Sequence, residues 1–542
     1  VTATRLVRTT FDGGGTVDVL IVGGGITGAA LAHEATSRGL SVALVEKGDL
    51  GAATSAATGK LIHGGLRYLK KLEVGLVRES LAERRTLLRI APNLVTPLPI
   101  VLPDPGLVEH AGLLAYDLLS ADRNLGSEPD ARIPAHRRLG RAELDAYGLT
   151  DLRSGLLYHD AMSLSPERLT LAFLRSAVAA GARIASYTRA DRLVVERGRV
   201  VGAEVTDLAP GGARGLIRAR VTVNATGPWA RDLLTAAPET AVLAGPEPTV
   251  RSEGIYLVTR VPSEVMVLTV QAHGHFSFAP WRGMSLVGPT ETPYRGPVEQ
   301  WRLTRRSIEE FLASIDTRNT GGVRLTIDDV AAAYGGLRPL TEAAGVDTYT
   351  ASRASELVDH TRQGVTGLVT ATGGKYTNAR AFAERIVGHL AARLGTTVRR
   401  SATARTPLDG CGIGSLPEAV AADAARAVRD GLDPVAGALL TRLYGTEAGV
   451  VLDLMRQDPL LRRPVTPDGE PLATVAYAAR YEAPVHLTDV LLRRTGIGQM
   501  GDPGDEVLAL AGDVVGAELG WDAVRRAAEV DAARAAVRLP VD

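Results

Sequence analysis

Three glycines at a fixed spacing, Gly23, Gly25 and Gly28 in Gly23-Gly-Gly-Ile-Thr-Gly28, precede an acidic residue, Glu46, further along the chain. Such a set suits a dinucleotide. The first glycine permits a tight turn, the second lets the backbone approach a pyrophosphate, and the third lets a helix pack closely on a strand. A carboxylate in the place of Glu46 accepts both ribose hydroxyls of an adenosine, which disfavours a 2'-phosphate.

These residues need a strand, a turn and a helix to hold them. Asp18-Val-Leu-Ile-Val22 is branched and apolar, as a buried strand is, and it runs straight into the glycine turn. An alanine-rich helical stretch running through Ser37 follows the turn, with the helix N-terminus facing the phosphates. Gly39 ends the helix, Ser41 to Val45 forms a second strand, and Glu46 sits at that strand's carboxyl end.

The residues after Glu46 separate FAD from a nicotinamide. Asp49 to Lys60, including Thr54 and Ser55, is rich in Gly, Ala, Ser and Thr, and Leu61-Ile-His-Gly-Gly-Leu-Arg-Tyr68 leads into a charged helical run. Small residues let the backbone hug a bulky, permanently bound cofactor, so FAD is expected.

Composition narrows the class. At 542 residues the chain is about three to four times the usual domain size, so at least two domains are expected. Lys plus Arg equals Asp plus Glu at 61 each, which removes the electrostatic case for a nucleic-acid binder and makes any anion site local. The single cysteine, Cys411, can form neither an internal disulfide nor a thiolate metal cluster, so no metal is expected and a reducing, cytoplasmic setting is. No run approaches the roughly 20 apolar residues of a spanning helix, and Val19 to Val22 is too short for a signal peptide.

Thr54-Ser55 and Lys60-Leu-Ile-His-Gly-Gly-Leu-Arg-Tyr-Leu69, with Glu79-Ser-Leu-Ala-Glu-Arg84 and Ala91-Pro92, resemble the aerobic-type FAD-dependent glycerol-3-phosphate dehydrogenases. The resemblance resumes at Asn224-Ala-Thr-Gly-Pro-Trp229, Gly335-Gly-Leu-Arg-Pro-Leu340, Arg353 and Thr372-Gly-Gly-Lys-Tyr-Thr377. It implies an α/β plus α+β architecture: a glutathione-reductase-like Rossmann FAD domain (1–90, 150–245 and 355–400) interleaved with an antiparallel-sheet substrate domain (91–149 and 246–354), then a helical C-terminal domain (401–542). Periodicity agrees. Val221 to Ala225 and Leu368 to Thr372 read as further strands, Val250 to Leu286 alternates like a half-buried sheet, and Leu416 to Arg429, Pro434 to Leu443 and Trp521 to Val537 read as helices.

The resemblance also assigns chemistry. It implies hydride transfer from the secondary carbinol carbon of sn-glycerol 3-phosphate to flavin N5, giving dihydroxyacetone phosphate. Arg338 and Arg353 match the family's substrate arginines and Lys375 follows at its expected distance, with Arg67 and Tyr68 as further donors. Arginine suits the phosphate because its planar fork bonds it bidentately. His63, whose free pKa lies near working pH, is the candidate base, although a histidine packed on the cofactor, or polarisation of the hydroxyl by Lys375 or Arg338, fits the same residues. Cofactor contacts are expected from Gly23, Gly25, Ile26, Gly28, Glu46, Thr54, Ser55, Lys60, Leu61, His63, Gly64, Gly65, Ala225, Gly227, Trp229, Gly374, Lys375 and Thr377.

Two segments depart from the family. Arg251-Ser-Glu-Gly-Ile255 stands where many relatives carry Gly-Ser-His, and Gly288-Pro-Thr-Glu291 where they carry Gly-Thr-Thr-Asp. Both lie in the substrate half, which leaves open a related phosphorylated or phosphonate alcohol. An amine or amino-acid oxidase shares the opening motif, but the cationic set exceeds what one carboxylate requires. A tRNA-modifying or scaffold flavoprotein would call for a basic surface or paired reactive cysteines. The family further implies a quinone acceptor, a homodimer and peripheral contact with the inner face of the cell membrane, with Lys70, Lys71 and Arg78 as candidate basic flanks. Glu482 and Asp489-Val-Leu-Leu-Arg-Arg-Thr495 echo the C-terminal signature and read as helix packing.

Overall fold

The computed structural model describes residues 3–11, 15–209, 211–245, 250–271, 274–318, 324–338 and 355–541. Arg353 lies outside these, and of Arg67, Lys70 and Lys71 only the backbone is described.

The strand Val17–Val22 lies at the heart of the first sheet, between Arg214–Asn224 and Val42–Val45, parallel to both. Val19, Leu20 and Ile21 are each 0% exposed, so both faces of the sheet are covered, and a continuous apolar run results where an alternating one would mark a one-sided sheet. The helix Ile26–Ser37 packs between the helices Pro166–Ala179 and Ala379–Leu394 on one face. Leu368–Gly373 joins the sheet beyond Arg214–Asn224, so the carboxyl ends of Val17–Val22, Arg214–Asn224 and Leu368–Gly373 open on the same side.

The second sheet is almost wholly antiparallel, as the alternation between 250 and 286 predicts. Arg251–Thr259 pairs with Val330–Arg338 and Met284–Gly288, and Gly274–Trp281 bridges to Met266–Gln271. One parallel pairing, Met266–Val267 with Ile100–Val101, adds Val95–Pro103, which in turn pairs with Gly155–Ser163. Leu61–Ile62 also pairs with Gly155–Ser163. Both of these strands fall in segments expected in the nucleotide half, and hydrogen bonding places them in the other sheet. The chain crosses between the sheets more often than its motifs suggest.

Residues beyond 415 form helices, including Leu416–Arg429, Pro434–Tyr444, Ala473–Tyr481 and Ala523–Val537, with their own apolar core around Tyr477 and Leu491. This unit joins the rest through buried charge. Arg168 donates to the Glu482 carboxylate at 2.9 Å and lies 3.9 Å over the Tyr444 ring. Among the described residues no helix is long and apolar enough to cross a membrane.

Candidate active site

The carboxyl ends of the first sheet and one face of the second enclose a cavity of about 1400 Å³. Gly23, Gly25, Ile26, Glu46, Thr54 and Ser55 line one part of it, and Leu61, His63, Gly65, Tyr68, Arg338 and Lys375 another. Ala225, Gly227, Trp229, Gly374 and Thr377 complete the wall between them.

The glycine turn is built without room for side chains. Gly23 has φ +114°, and a Cβ there would lie 2.5 Å from the Ala225 carbonyl oxygen. Gly28 does not face the cavity. A Cβ on it would lie 1.9 Å from the Gly23 carbonyl oxygen and 3.3 Å from the Ile21 side chain, so the helix packs closely on the strand, as the third glycine implies, and on the turn as well. The Ile26 N–H, free of any intrahelical partner at the helix start, donates to Ser55 Oγ at 2.9 Å. Ser55 thus supplies the cap that Gly25 lacks.

Glu46 accepts the N–H groups of Gly24 at 2.7 Å and Gly48 at 2.9 Å. Burial pushes its carboxyl above the usual range, against the pull of those two N–H groups and Lys47. Each carboxylate oxygen has more than one acceptor position, so these bonds fix Glu46 while leaving capacity for ribose hydroxyls. The side-chain-free turn, the helix start and a fixed carboxylate fit a dinucleotide.

At the other part, Lys375 Nζ donates to the Gly64 carbonyl at 3.2 Å and Ser80 Oγ at 3.1 Å, and stands 4.1 Å from the centroid of the Tyr68 ring. The His63 N–H donates to Thr377 Oγ1 at 3.2 Å, tying the histidine turn to the segment that carries Lys375. Arg338 ends the strand Val330–Arg338, where Nη1 donates to Glu291 at 3.2 Å and Nη2 to the Thr290 carbonyl at 3.1 Å. Thr54 Oγ1 donates to the Leu337 carbonyl at 2.6 Å, so the small-residue loop and the Arg338 strand are joined directly. Trp229 donates from Nε1 to Glu299 at 2.8 Å under the Lys47 ammonium, 4.0 Å from the ring centroid.

Lys60 points away from the cavity. It was expected against the cofactor, yet it does not line the cavity: its Nζ is buried 3.5 Å from Glu167, 3.1 Å from Gln499 and 4.7 Å from the Trp281 ring. A φ of +58° at Lys60 turns the chain there, and burial lowers its pKa against the pull of Glu167. Gly64 also lies behind the wall, where a Cβ would meet the Tyr116 hydroxyl at 2.3 Å. The structure brings His63, Tyr68, Arg338 and Lys375 to one cavity; Arg353 and the Arg67 side chain fall outside the description.

Sequence motifs missed Asp160. This buried carboxylate lines the cavity, accepts the Tyr116 hydroxyl at 2.8 and 2.9 Å, pairs with Arg84, and accepts the Gly64 N–H at 3.3 Å. The available signal was its place on the inward row Leu156, Tyr158, Asp160, Met162 of an otherwise apolar strand face.

The family described as FAD dependent oxidoreductase matches residues 18–385, and the C-terminal domain of alpha-glycerophosphate oxidase matches residues 401–526. Glycerol-3-phosphate dehydrogenase 2 of Mycobacterium tuberculosis is 32% identical over 523 residues, covering 93% of this chain and 85% of that protein. This chain belongs to the FAD-dependent glycerol-3-phosphate dehydrogenase family. The glycerol-3-phosphate dehydrogenase of a Synechocystis strain is 30% identical over 93% of each chain. The solved glycerol-3-phosphate dehydrogenase of Bacillus halodurans, complexed with FAD, superposes with a TM-score of 0.75 at 24% identity, over 97% of this chain and 95% of that one, which shows the shared fold. As in the rest of the family the cofactor is FAD, and the glycine turn, Glu46 and Ser55 are the groups that fit it.

Proposed function

We propose that this protein oxidises sn-glycerol 3-phosphate to dihydroxyacetone phosphate. The observation that carries the reading is that Lys375, just beyond the strand Leu368–Gly373 of the first sheet, and Arg338, at the end of a strand of the second, line the same cavity as the glycine turn. When bound, FAD would supply the acceptor for the hydride, that is the hydrogen with its electron pair, that leaves the alcohol carbon. Lys375 and Arg338 hold the phosphate, Tyr68 and the Gly64 carbonyl orient the lysine, and His63 takes the hydroxyl proton. Arg67 and Arg353 complete the cationic set by motif. Under anaerobic conditions, sn-glycerol 3-phosphate should bleach the long-wavelength flavin band; a fully loaded flavin that stays yellow overturns the reading. Replacing His63 by Asn or Ala should slow bleaching in a single turnover, and an unchanged rate removes it as the base.

One observation favours a neighbouring substrate. Glu291 pairs with Arg338, so part of that charge is already answered before a phosphate arrives. A different phosphorylated or phosphonate alcohol would then bleach the flavin faster than sn-glycerol 3-phosphate does.

The acceptor in this reading is a quinone met at the cytoplasmic face of the membrane. Leu72, Val108 and Leu118, which are 83%, 66% and 70% exposed, line the mouth of the same cavity, and Leu107 beside them is 86% exposed. Arg78, named as a basic flank, is committed to Asp122 at 2.7 Å, so apolar surface supports this contact better than charge does. Flotation with lipid vesicles tests it, and a Leu72→Asp, Leu107→Asp double variant should lose binding while still being bleached.

A further inference from the structure

The paired arginines of the C-terminal unit reach out of it. Arg494, 0% exposed, places Nη1 2.5 Å from Asp49 Oδ2 and Nη2 2.7 Å from Oδ1, a two-pronged grip. Arg493 donates to the same carboxylate and, at 2.7 Å, to Asp489. Asp489 accepts the Tyr187 hydroxyl at 2.6 Å, and the Tyr187 N–H donates to the Gly48 carbonyl at 2.9 Å. The segment from Glu46 to Gly51 is therefore held on its outer side at two points, Gly48 and Asp49.

On its inner side the same segment meets the cofactor-binding groups. Glu46 accepts from Gly24 and Gly48, and the Gly51 N–H donates to the Gly24 carbonyl at 3.0 Å. One short loop thus carries the ribose carboxylate, is bonded to the pyrophosphate turn and is gripped by the last unit. Burying this many charges costs desolvation that apolar contacts between two units would avoid, so simple joining does not account for them. A fork on a carboxylate does fix a loop in position and orientation.

We propose that Arg494, braced by Arg493, Asp489 and Tyr187, is a positioning residue for FAD, and that the C-terminal helical unit retains the cofactor through Asp49 without touching it. The proposal rests on reading the cavity as the FAD site. Burial and its two arginine partners act in opposite directions on Asp49, and the arginines prevail, holding its carboxyl below the usual range.

The test is FAD titration of full-length apoprotein, followed by flavin fluorescence, with circular dichroism and the melting temperature of each apoprotein alongside. Arg494→Lys keeps the charge and loses the fork, and should weaken FAD binding about tenfold or more. Tyr187→Phe keeps every charge and cuts only the outer brace, and should weaken it by a smaller factor. A folded Arg494→Lys apoprotein with an FAD dissociation constant within about twofold of the parent overturns the proposal. If Arg494→Lys does not fold, Tyr187→Phe decides, and parental affinity there overturns it. A parent chain that binds no FAD removes the reading of the cavity and the clamp with it, whereas a parent that binds FAD no better than both variants removes the clamp alone.

Discussion

Arg338 fills the space that a side chain at residue 254 would need: a Cβ on Gly254 would lie 1.6 Å from Arg338 Nη2. The two residues sit on paired strands, with Gly254 opposite Gly336 and Ser252 opposite Arg338. Here the guanidinium crosses over its neighbour strand to reach Glu291 and Thr290. The glycine at 254, a departure from the family's Gly-Ser-His, is thus coupled to where the arginine points.

Gly254→Ala should therefore displace Arg338 without touching the nucleotide turn. The expected outcome is a fall in kcat/KM of roughly tenfold to a hundredfold, carried mainly by KM, since misplacing a substrate-holding group has costs of that order. FAD content should stay at the parental level. Steady-state kinetics with an artificial acceptor, beside the flavin-to-protein absorbance ratio, would show it; an unchanged KM would mean that Arg338 does not hold substrate.

Gly28→Ala should act on the cofactor instead. Its Cβ would meet the Gly23 carbonyl oxygen at 1.9 Å, a backbone atom that cannot swing aside. The helix must lift from the turn, with a stability loss of about 1–3 kcal/mol and weaker FAD retention. Purified variant carrying full FAD at parental melting temperature would contradict the packing seen here.

Tyr116→Phe should loosen the histidine turn from behind. Its hydroxyl donates to both oxygens of Asp160, which in turn accepts the Gly64 N–H. Removing one donor from a buried carboxylate costs about 1–3 kcal/mol, read as a lower denaturant midpoint. The single-turnover rate of flavin bleaching should fall as well, because Gly64 also accepts from Lys375. A lower midpoint with an unchanged rate would confine Tyr116 to stability.

Stability should fall on the acid side through His33. This imidazole lies buried on the first helix beside Phe173, and neither ring nitrogen has a hydrogen-bond partner. Burial, helped by the Arg380 guanidinium, pushes its pKa down to about 4 from 6.5. As pH falls, the unfolded chain takes up the proton first, so stability held above pH 6.5 drains away between 6.5 and about 4. Between pH 7 and pH 5 this group alone should cost about 2 kcal/mol. His33→Leu should remove that part of the decline in urea midpoints, and an equal decline in both proteins would show that other groups cause it.

The nucleotide half was legible because its chemistry is local. Gly23, Gly25, Gly28 and Glu46 lie within one strand-turn-helix-strand unit, and the structure places the turn and the carboxylate together as that unit requires. Lys60 was misplaced for the opposite reason: its neighbours in sequence face the cavity, while its own side chain follows a turn toward Glu167 and Gln499, remote in sequence.

The sequence by itself determined the strand-turn-helix-strand unit around Gly23 and Glu46, which follows from residue type and short-range spacing, and its longer motifs carried the resemblance to the family. Only the tertiary structure decided that Arg338 points to Glu291, that Asp160 accepts the Gly64 N–H, and that Arg494 grips Asp49 from a point remote in sequence. Each of these is a pairing of charges or donors distant in sequence. A buried polar group must find a partner wherever the fold brings one, and no spacing along the chain records which partner that is.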